Sequence, residues 1–246
     1  MARGKTVIVI LMVLIFLAGL VCAMYPRIQG AAVDTHMQQQ AQVFIDRVTV
    51  QPSTSPTEPY ELTTQPAAFP CADLLEAMQA YNQRIWEEKQ EGLCAPWSYQ
   101  QPSFTLGDYG LEDEVFGVIS IPSLELELPL YLGATYQHMA DGAAHLSQTS
   151  LPIGGNNTNC VIAGHRGWGG AAYFRYITDL LPGDEVIITN LWGDMTYTVT
   201  DTQIIAPNDV DQILIQEGRD MITLLTCHPY ASGGKQRYLV FCERYS

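Results

Sequence analysis

The sequence is poor in basic residues. Lys and Arg number 12 among 246 residues, against 26 Asp and Glu, which gives a formal net charge of −14. Nucleic-acid binding is therefore not expected, because phosphate recognition depends on clustered Lys and Arg side chains. Charged residues make up only 15% of the chain and hydrophobic residues 47%, a balance that argues against an intrinsically disordered protein.

Cysteine and histidine patterns typical of metal sites are also missing. The six cysteines are Cys22, Cys71, Cys94, Cys160, Cys227 and Cys242. They form no CxxC pair and no cluster with histidine at zinc-site spacing, so we expect neither a metal nor a cofactor. Cys160 and Cys242 lie in apolar segments where small buried thiols are common. Cys71 and Cys94 bracket a predicted helix and are candidates for a disulfide.

A single long apolar run lies near the N-terminus. Thr6 to Met24 contains nineteen residues without a charge, about the length of a helix that crosses the hydrocarbon core of a bilayer. Arg3 and Lys5 precede it, so the positive-inside rule places the chain after Tyr25 outside the cell. A cleaved signal peptide is the alternative, since Val21-Cys22-Ala23 resembles a cleavage site. Because the run exceeds a typical signal core, we favour an uncleaved, single-pass anchor with an exported domain.

Composition divides the chain into four segments. They are residues 1–25, the cytoplasmic tip and transmembrane anchor; 26–70, a juxtamembrane helix and a linker rich in Pro, Ser and Thr; 71–114, a second helix and a loop; and 115–246, the main domain. The juxtamembrane helix is predicted over residues 31–47. The second helix is predicted from Leu74 to Glu91, with Asp73 as its N-cap.

From Val115 onward the pattern changes to strands. Alternating, β-branched or aromatic segments predict seven strands, at residues 115–121, 124–131, 160–163, 185–189, 195–205, 221–226 and 237–242. Short helical patches are expected around residues 171–181 and 209–217. Many short strands in about 130 residues predict a mainly β fold, a closed or nearly closed barrel.

Two predicted strand ends carry reactive side chains. The apolar segment CVIAGHRG, residues 160–167, runs into glycine and then His165, and MITLLTCHPY, residues 221–230, carries Cys227 at its end. Arg237 begins the last predicted strand. A thiol, an imidazole and a guanidinium on neighbouring strand ends would supply a nucleophile, a proton carrier and an oxyanion stabiliser. Spacing alone leaves open whether they converge.

Other polar and aromatic residues have simpler interpretations. His228 follows Cys227 directly and should point to the opposite face of its strand, so a catalytic role is not expected. His138 and His145 are expected to have surface or structural roles, and Arg166 to tether a loop instead of contacting substrate. The sequence does not decide whether three aromatic residues pack within the barrel or line a groove. They are Trp168, Trp192 and Tyr230.

At the reactive positions the sequence resembles the sortases, membrane-anchored cysteine transpeptidases of Gram-positive bacteria. The matching motifs are TLLTC (Thr223 to Cys227), GHR (Gly164 to Arg166) and the arginine of QRYLV (Gln236 to Val240). The resemblance extends from about Leu74 to Arg244 and is strongest to class C, the pilin-polymerising type. The motifs that favour class C are LPLYLGAT (Leu128 to Thr135), AAHLSQTSLPIGG (Ala143 to Gly155), AGHRGW (Ala163 to Trp168), LLPGDEV (Leu180 to Val186) and LLTCHPY (Leu224 to Tyr230).

The resemblance implies an eight-stranded sortase-type β-barrel with short helices and an N-terminal helical and lid extension. It also implies that Cys227 attacks the Thr–Gly carbonyl of an LPxTG-type sorting signal and forms a thioester. His165 would carry the proton, and Arg237 would hydrogen-bond the substrate backbone or the oxyanion. The expected partners are pilin or surface proteins with such C-terminal signals and an amine, either a pilin lysine or a cell-wall precursor. The expected location is the cell membrane, with the catalytic domain outside.

Class C sortases also tend to cover the active site with a lid that carries an Asp-Pro-aromatic tripeptide. Ala95-Pro96-Trp97 lies in a matching context, so Trp97 is expected over Cys227, with Thr226 in the groove wall. Ala95 stands where the family has an acidic residue able to pair with the catalytic arginine. The resemblance therefore implies a more weakly held lid.

Two alternative functions remain open from the sequence. One is a sortase that anchors surface proteins to peptidoglycan, or a hydrolytic relative of it. The other is an inactive surface scaffold that keeps only the barrel.

Overall fold

The computed structural model describes residues 2–49, 71–91, 93 and 101–245, with only the backbone of residues 2–6. Ala95, Pro96 and Trp97 of the expected lid, and Cys94 of the expected disulfide, lie outside the described residues. The described helices are α1 (Ala2–Thr49), α2 (Ala72–Glu87) and α3 (Tyr136–Asp141). The described strands are β1 (Val115–Ile121), β2 (Leu126–Leu132), β3 (Ala143–His145), β4 (Thr158–Ala163), β5 (Glu185–Asn190), β6 (Gly193–Ile205), β7 (Asp220–His228) and β8 (Gln236–Glu243).

The strands form a closed barrel in the order β1-β2-β3-β4-β7-β8-β6-β5, which confirms the expected mainly β, eight-stranded fold. Strands β2 and β3 pair in parallel, as do β4 and β7, and the other neighbours are antiparallel. Closure pairs the first strand with the fifth, so the sheet has no free edge that could pair with another chain.

Strands β4 and β7 are buried on both faces. Alternate residues of β4 enter two different apolar clusters, with Ile162 in the main core and Val161 in the second cluster. In β7, Leu224 likewise lies in the main core and Leu225 in the second cluster. Burial on both faces is typical of parallel strands and leaves them little freedom to move. The two strands that lead to His165 and Cys227 are therefore among the most firmly packed in the barrel.

Several parts of the chain differ from the sequence prediction. Strand β3 was not predicted, because three residues are too few to show an alternating pattern. The helical patch expected at residues 171–181 contains only a 3-10 turn, Ile177–Asp179, and the patch at 209–217 contains only Asp211–Ile213. The anchor and the juxtamembrane helix are one continuous helix, α1, instead of two segments.

Helix α2 begins differently from the prediction. Cys71, with a φ of 52°, occupies the N-cap position in the left-handed region, and no side chain caps the helix. The Asn82 side chain instead holds α2 to the loop after β3. Its Oδ1 accepts a hydrogen bond from the Leu151 N–H at 2.7 Å, and its Nδ2 donates to the Leu151 carbonyl oxygen at 3.3 Å. This paired contact fixes the helix on the barrel.

His145 has the structural role that was expected. Its side chain is completely buried, and Nε2 lies 3.1 Å from the Thr149 carbonyl oxygen, whereas Nδ1 has no hydrogen-bond partner. Burial lowers the pKa of His145 to about 4, although contacts with the Thr149 and Ser150 backbone oppose the shift. The ring is therefore neutral in the folded protein at neutral pH.

The first prediction concerns the loss of stability in acid. The pKa of His145 is near 6.5 in the unfolded chain and about 4 in the folded protein. The contribution of neutral His145 to stability is therefore fully present above pH 6.5 and is lost progressively as the pH falls towards 4. Between pH 7 and pH 4, the free energy of unfolding of the unchanged protein should fall by up to about 3 kcal/mol more than that of His145→Gln. Urea unfolding of the full chain in nanodiscs measures this difference.

The matched control is His36→Gln, because His36 is exposed on α1. This variant should show the same pH dependence as the unchanged protein. A constant stability difference between the unchanged protein and His145→Gln across this pH range would contradict the prediction.

Candidate active site

The ends of β4 and β7 are joined by backbone and side-chain hydrogen bonds. Ala163 lies opposite Leu225 in the parallel pair, and just beyond it the Gly164 N–H donates to the Leu225 carbonyl oxygen at 3.0 Å. The Thr226 hydroxyl donates to the Gly164 carbonyl oxygen at 2.8 Å. Thr226 is only 1% exposed, so it holds the strand ends together and does not present a surface to a groove.

His165 and Cys227 are the next residues along these two strand ends. On the other side of β7, Arg237 of β8 lies directly opposite Cys227 in the antiparallel pair. Directly opposed residues in such a pair have Cβ atoms about 4.5–5.5 Å apart. The fold therefore brings the imidazole, the thiol and the guanidinium to one end of the barrel, on three neighbouring strands.

Gly234 borders both the thiol and the guanidinium. Arg237 Nη1 donates to the Gly234 carbonyl oxygen at 2.6 Å and to the Gln236 carbonyl oxygen at 3.0 Å. A Cβ added to Gly234 would lie 3.4 Å from Cys227 Sγ and 3.0 Å from Arg237 Nη1. Gly234 also has a φ of 77°, a conformation that favours glycine. The absence of a side chain therefore leaves space beside the thiol.

The His165 ring is half-buried between two aromatic side chains. Its centroid lies 5.1 Å from that of Trp168 in a stacked arrangement and 5.7 Å from that of Tyr173 at nearly a right angle. Burial lowers the pKa of His165 below its usual value. Before it, Gly164 allows the Phe174 ring to approach closely, since an added Cβ would lie 2.6 Å from that ring. Packing thus fixes the position of the histidine.

Arg166 tethers the loop after β4, as the sequence indicated. Its Nη1 donates to His228 Nδ1 at 2.6 Å, and its Nη2 donates to the Thr178 hydroxyl at 3.3 Å. The pKa of His228 is lowered by burial and by the positive charge of Arg166. The His228 ring also stacks on Tyr238. Arg166 and Tyr238 therefore hold the His228 ring in place.

A second arginine joins the same two loops. Arg175 Nη2 donates to the Tyr230 hydroxyl at 2.6 Å, and its guanidinium lies 4.5 Å from the centre of the Tyr230 ring. Sequence reasoning missed Arg175, and it left the roles of Trp168 and Tyr230 open. Trp168 covers His165 and Tyr230 binds Arg175, whereas Trp192 packs against Phe116 in the barrel wall.

The described residues offer this site no metal ligands. In the part of the chain that the structure describes, no three His, Cys, Asp or Glu side chains are close enough together to hold a metal ion. A thiol beside an arginine and a histidine is suited to nucleophilic acyl transfer.

Comparison with known protein families identifies the fold and the motifs. A model of the sortase domain matches residues 119–245, which include both strand ends and Arg237. The chain belongs to the sortase family. Sortase A of Bacillus anthracis is 32% identical over 167 residues, a match that covers 67% of this chain and 77% of that protein.

Two further relatives extend the comparison. Sortase D of Bacillus subtilis (strain 168) is 28% identical over 130 residues, covering 52% of this chain and 63% of that protein, which is less than two thirds of its length. The crystal structure of Streptococcus pneumoniae Sortase C superposes with a TM-score of 0.68 at 27% identity, covering 85% of this chain and 97% of that one. This sortase is thus similar to the class C structures, as its motifs indicated.

The second prediction concerns the ring that covers the histidine of this sortase. Burial is the cause of the lowered His165 pKa, and Trp168 provides part of that burial. Trp168→Ala should therefore raise the pKa of His165 towards its usual value. NMR titration of histidine-labelled protein measures the pKa of His165. The His165 resonance is identified by its absence from the spectrum of His165→Gln.

Trp86→Ala is the matched control, since it removes the same side chain from α2. The His165 pKa should not change in that variant. An unchanged or further lowered pKa in Trp168→Ala would show that burial by this ring does not control the imidazole.

Proposed function

We propose that this sortase cleaves an LPxTG-type sorting signal between Thr and Gly and transfers the acyl group to a lysine amine of a pilin. The observation that carries this proposal is the placement of Cys227 opposite Arg237, with His165 at the end of the adjacent strand. Family membership supports the reaction type, because the matched domain includes all three residues.

In the first half-reaction, the Cys227 thiolate attacks the carbonyl carbon of the signal's threonine. Arg237 donates hydrogen bonds to the oxygen on which negative charge develops. The C–N bond to glycine then breaks, and protonated His165 gives its proton to the departing amine. The products are a thioester on Cys227 and a free N-terminal glycine.

In the second half-reaction, the acceptor amine attacks the thioester carbonyl. Neutral His165 takes a proton from the amine, the C–S bond breaks, and Cys227 leaves as a thiolate. Burial lowers the pKa of His165, which makes the protonated ring a stronger acid for the first step. It also makes the neutral ring the main form for the second step.

A pilin lysine is the favoured acceptor because of the class C resemblance. The Streptococcus pneumoniae structure is described in connection with pilin substrate specificity, and it covers 85% of this chain. Anchoring of surface proteins to peptidoglycan is the second candidate. The matching Bacillus proteins are named Sortase A and Sortase D, and neither is named Sortase C.

We also propose that α1 anchors the enzyme in the membrane, with the catalytic barrel outside the cell. The helix contains a segment with a mean hydropathy of 3.2 over 18 residues, and none of that segment is buried. Apolar side chains that find no protein partner need another apolar environment, and the length of the segment fits a bilayer. Arg3 and Lys5 at the N-terminus support the orientation.

The third prediction tests the acyl-enzyme and its residues. A sorting-signal peptide should add its acyl group to the protein as a thioester, detected by intact mass, and Cys227→Ala should abolish it. His165→Ala should slow thioester formation by about 10²–10⁴-fold, the usual contribution of a proton donor. Arg237→Ala should slow it by about 10²–10³-fold, the usual contribution of an oxyanion donor.

Cys71→Ala is the matched control, because Cys71 is another partly exposed thiol and should be dispensable. Thioester formation by Cys227→Ala would contradict the proposed nucleophile. No thioester in the unchanged protein would leave the inactive scaffold as the better explanation. To separate the two acceptors, the acyl-enzyme is offered a pilin with its lysine and a wall-peptide amine in competition. Preferred transfer to the wall amine would overturn the pilin assignment.

We further propose that residues 95–97 form a lid whose hold on the site is weak because Ala95 lacks a carboxylate. An acid at this position could pair with Arg237, which lies beside the thiol that the lid would cover. A charge-assisted hydrogen bond contributes about 1.5–3 kcal/mol. The missing carboxylate should therefore leave the thiol more accessible.

The fourth prediction follows from the missing carboxylate. Ala95→Asp should slow alkylation of Cys227 by about tenfold or more, because the closed lid is stabilised. Peptide mass spectrometry of iodoacetamide-treated protein measures the rate at this one thiol. Ala95→Asn controls for size without charge and should slow alkylation less; equal rates in all three proteins would argue against a lid at these residues.

A further inference from the structure

Helix α1 contacts the barrel at a series of positions along its length. From the N-terminal side, the contacts are Gly30 against Gly170, Asp34 with the Ala172 N–H, Met37 in the main core, Gln40 with the Tyr131 hydroxyl, and Arg47 with Asp113. Among these contacts, the ones made by the segment after β4, which carries His165, are therefore nearest to the apolar run.

The contact nearest the apolar run joins two backbones. A Cβ added to Gly30 would collide with the backbone of Gly170, and one added to Gly170 would collide with the Pro26 carbonyl oxygen. Gly170 lies at the tip of a tight turn, in which Trp168 and Ala171 exchange backbone hydrogen bonds of 3.2 and 2.9 Å. Only glycine at both positions allows the turn to touch the helix this closely.

The turn lies close to the end of the apolar run. Gly30 is six positions after Met24, which is about 9 Å along an α-helix. The headgroup region beyond the hydrocarbon core is roughly 5–8 Å deep on each side of a bilayer. If the apolar run occupies the hydrocarbon core, the turn therefore lies at or just above the headgroups.

The side chains at this level are those of a membrane interface. Trp168 is 51% exposed, Tyr25 57% and Ile28 62%. Trp and Tyr prefer the boundary between hydrocarbon and water, where an apolar ring and a polar group are both satisfied.

Charge at this level supports the same conclusion. Residues 25–33 and 164–172 contain no Asp or Glu, although the whole chain carries 26 of them. They contain two arginines, Arg27 and Arg166. Asp34 borders this surface on the side away from the apolar run, where its carboxylate accepts a hydrogen bond from the Ala172 N–H. The part of the surface nearer the apolar run carries no carboxylate and can approach anionic headgroups without repulsion.

We propose that this surface, formed by residues 25–33 and 164–172, lies against the headgroups of the bilayer that α1 crosses, with Trp168 as an interfacial anchor. The candidate active site then opens at the membrane surface, beside substrates held in the same bilayer. The proposal rests on the anchoring role proposed for α1. It adds a second membrane contact, made by the turn that follows His165.

The experiment uses the full chain in vesicles of phosphatidylcholine and phosphatidylglycerol. Lipids with bromine on the acyl chain near the headgroup quench tryptophan at the interface. The unchanged protein should lose at least twice as large a fraction of its fluorescence as Trp168→Phe. Trp86→Phe is the matched control and should be quenched at least as much as the unchanged protein. Equal quenching of the unchanged protein and Trp168→Phe would overturn the proposal.

A second variant tests the glycine contact. Gly30→Leu forces the turn away from α1 and should reduce the quenching that depends on Trp168 at least twofold. Gly19→Leu makes the same change at a glycine of α1 that has no atom within 4 Å of the added Cβ, and should not reduce it. Unchanged quenching in Gly30→Leu would refute the role of the contact.

Vesicle flotation after an alkaline wash separates this inference from the anchoring on which it rests. Protein that fails to float lacks the anchor, which refutes this surface as well. If the protein floats and forms the thioester with a soluble peptide but Trp168 is not quenched, the proposed membrane-facing surface alone is refuted.

Discussion

Backbone hydrogen bonds on both edges of β7 hold the candidate site together. The strand pairs in parallel with β4 and antiparallel with β8, so three residues from distant parts of the chain meet without needing contacts between their side chains. A shift of one residue in either pairing would turn Cys227 to the other face of the sheet. Burial of β4 and β7 on both faces opposes such a shift, and the reactive geometry thus depends on the core of the barrel.

Positive charge at this end of the barrel contrasts with the acidic chain. Arg166 and Arg175 tie the segment that follows β4 to the end of β7 and the loop after it, and Arg237 lies beside the thiol. Each tie is a charge-assisted or cation–π contact that positions a loop. Together, the three guanidinium groups provide a local positive field that would stabilise the negative charge developing on sulfur and oxygen during acyl transfer.

The sequence predicted what depends on local pattern or on a motif, and it failed where tertiary contacts decide. Strand β1 was predicted with its observed bounds, because Val115 to Ile121 is mostly apolar and rich in β-branched residues. Strand β3 was missed because Ala143 to His145 gains its strand structure only from β2 and β4. Cys227, His165 and Arg237 lie in recognisable motifs, whereas Arg175 acts through Tyr230, which is 55 residues away in the sequence, and left no local signal.

Helix α1 shows the same limit on a larger scale. Its apolar run was visible in the sequence, but its continuity into the juxtamembrane helix and its glycine contact with the barrel were not, because a backbone contact has no side-chain pattern. A flexible linker would let the catalytic domain move freely above the membrane, whereas an unbroken helix transmits position and orientation. The number of residues between Met24 and Gly30 then fixes the height of the turn after His165. Inserting or deleting residues there would move the candidate site by about 1.5 Å and 100° per residue.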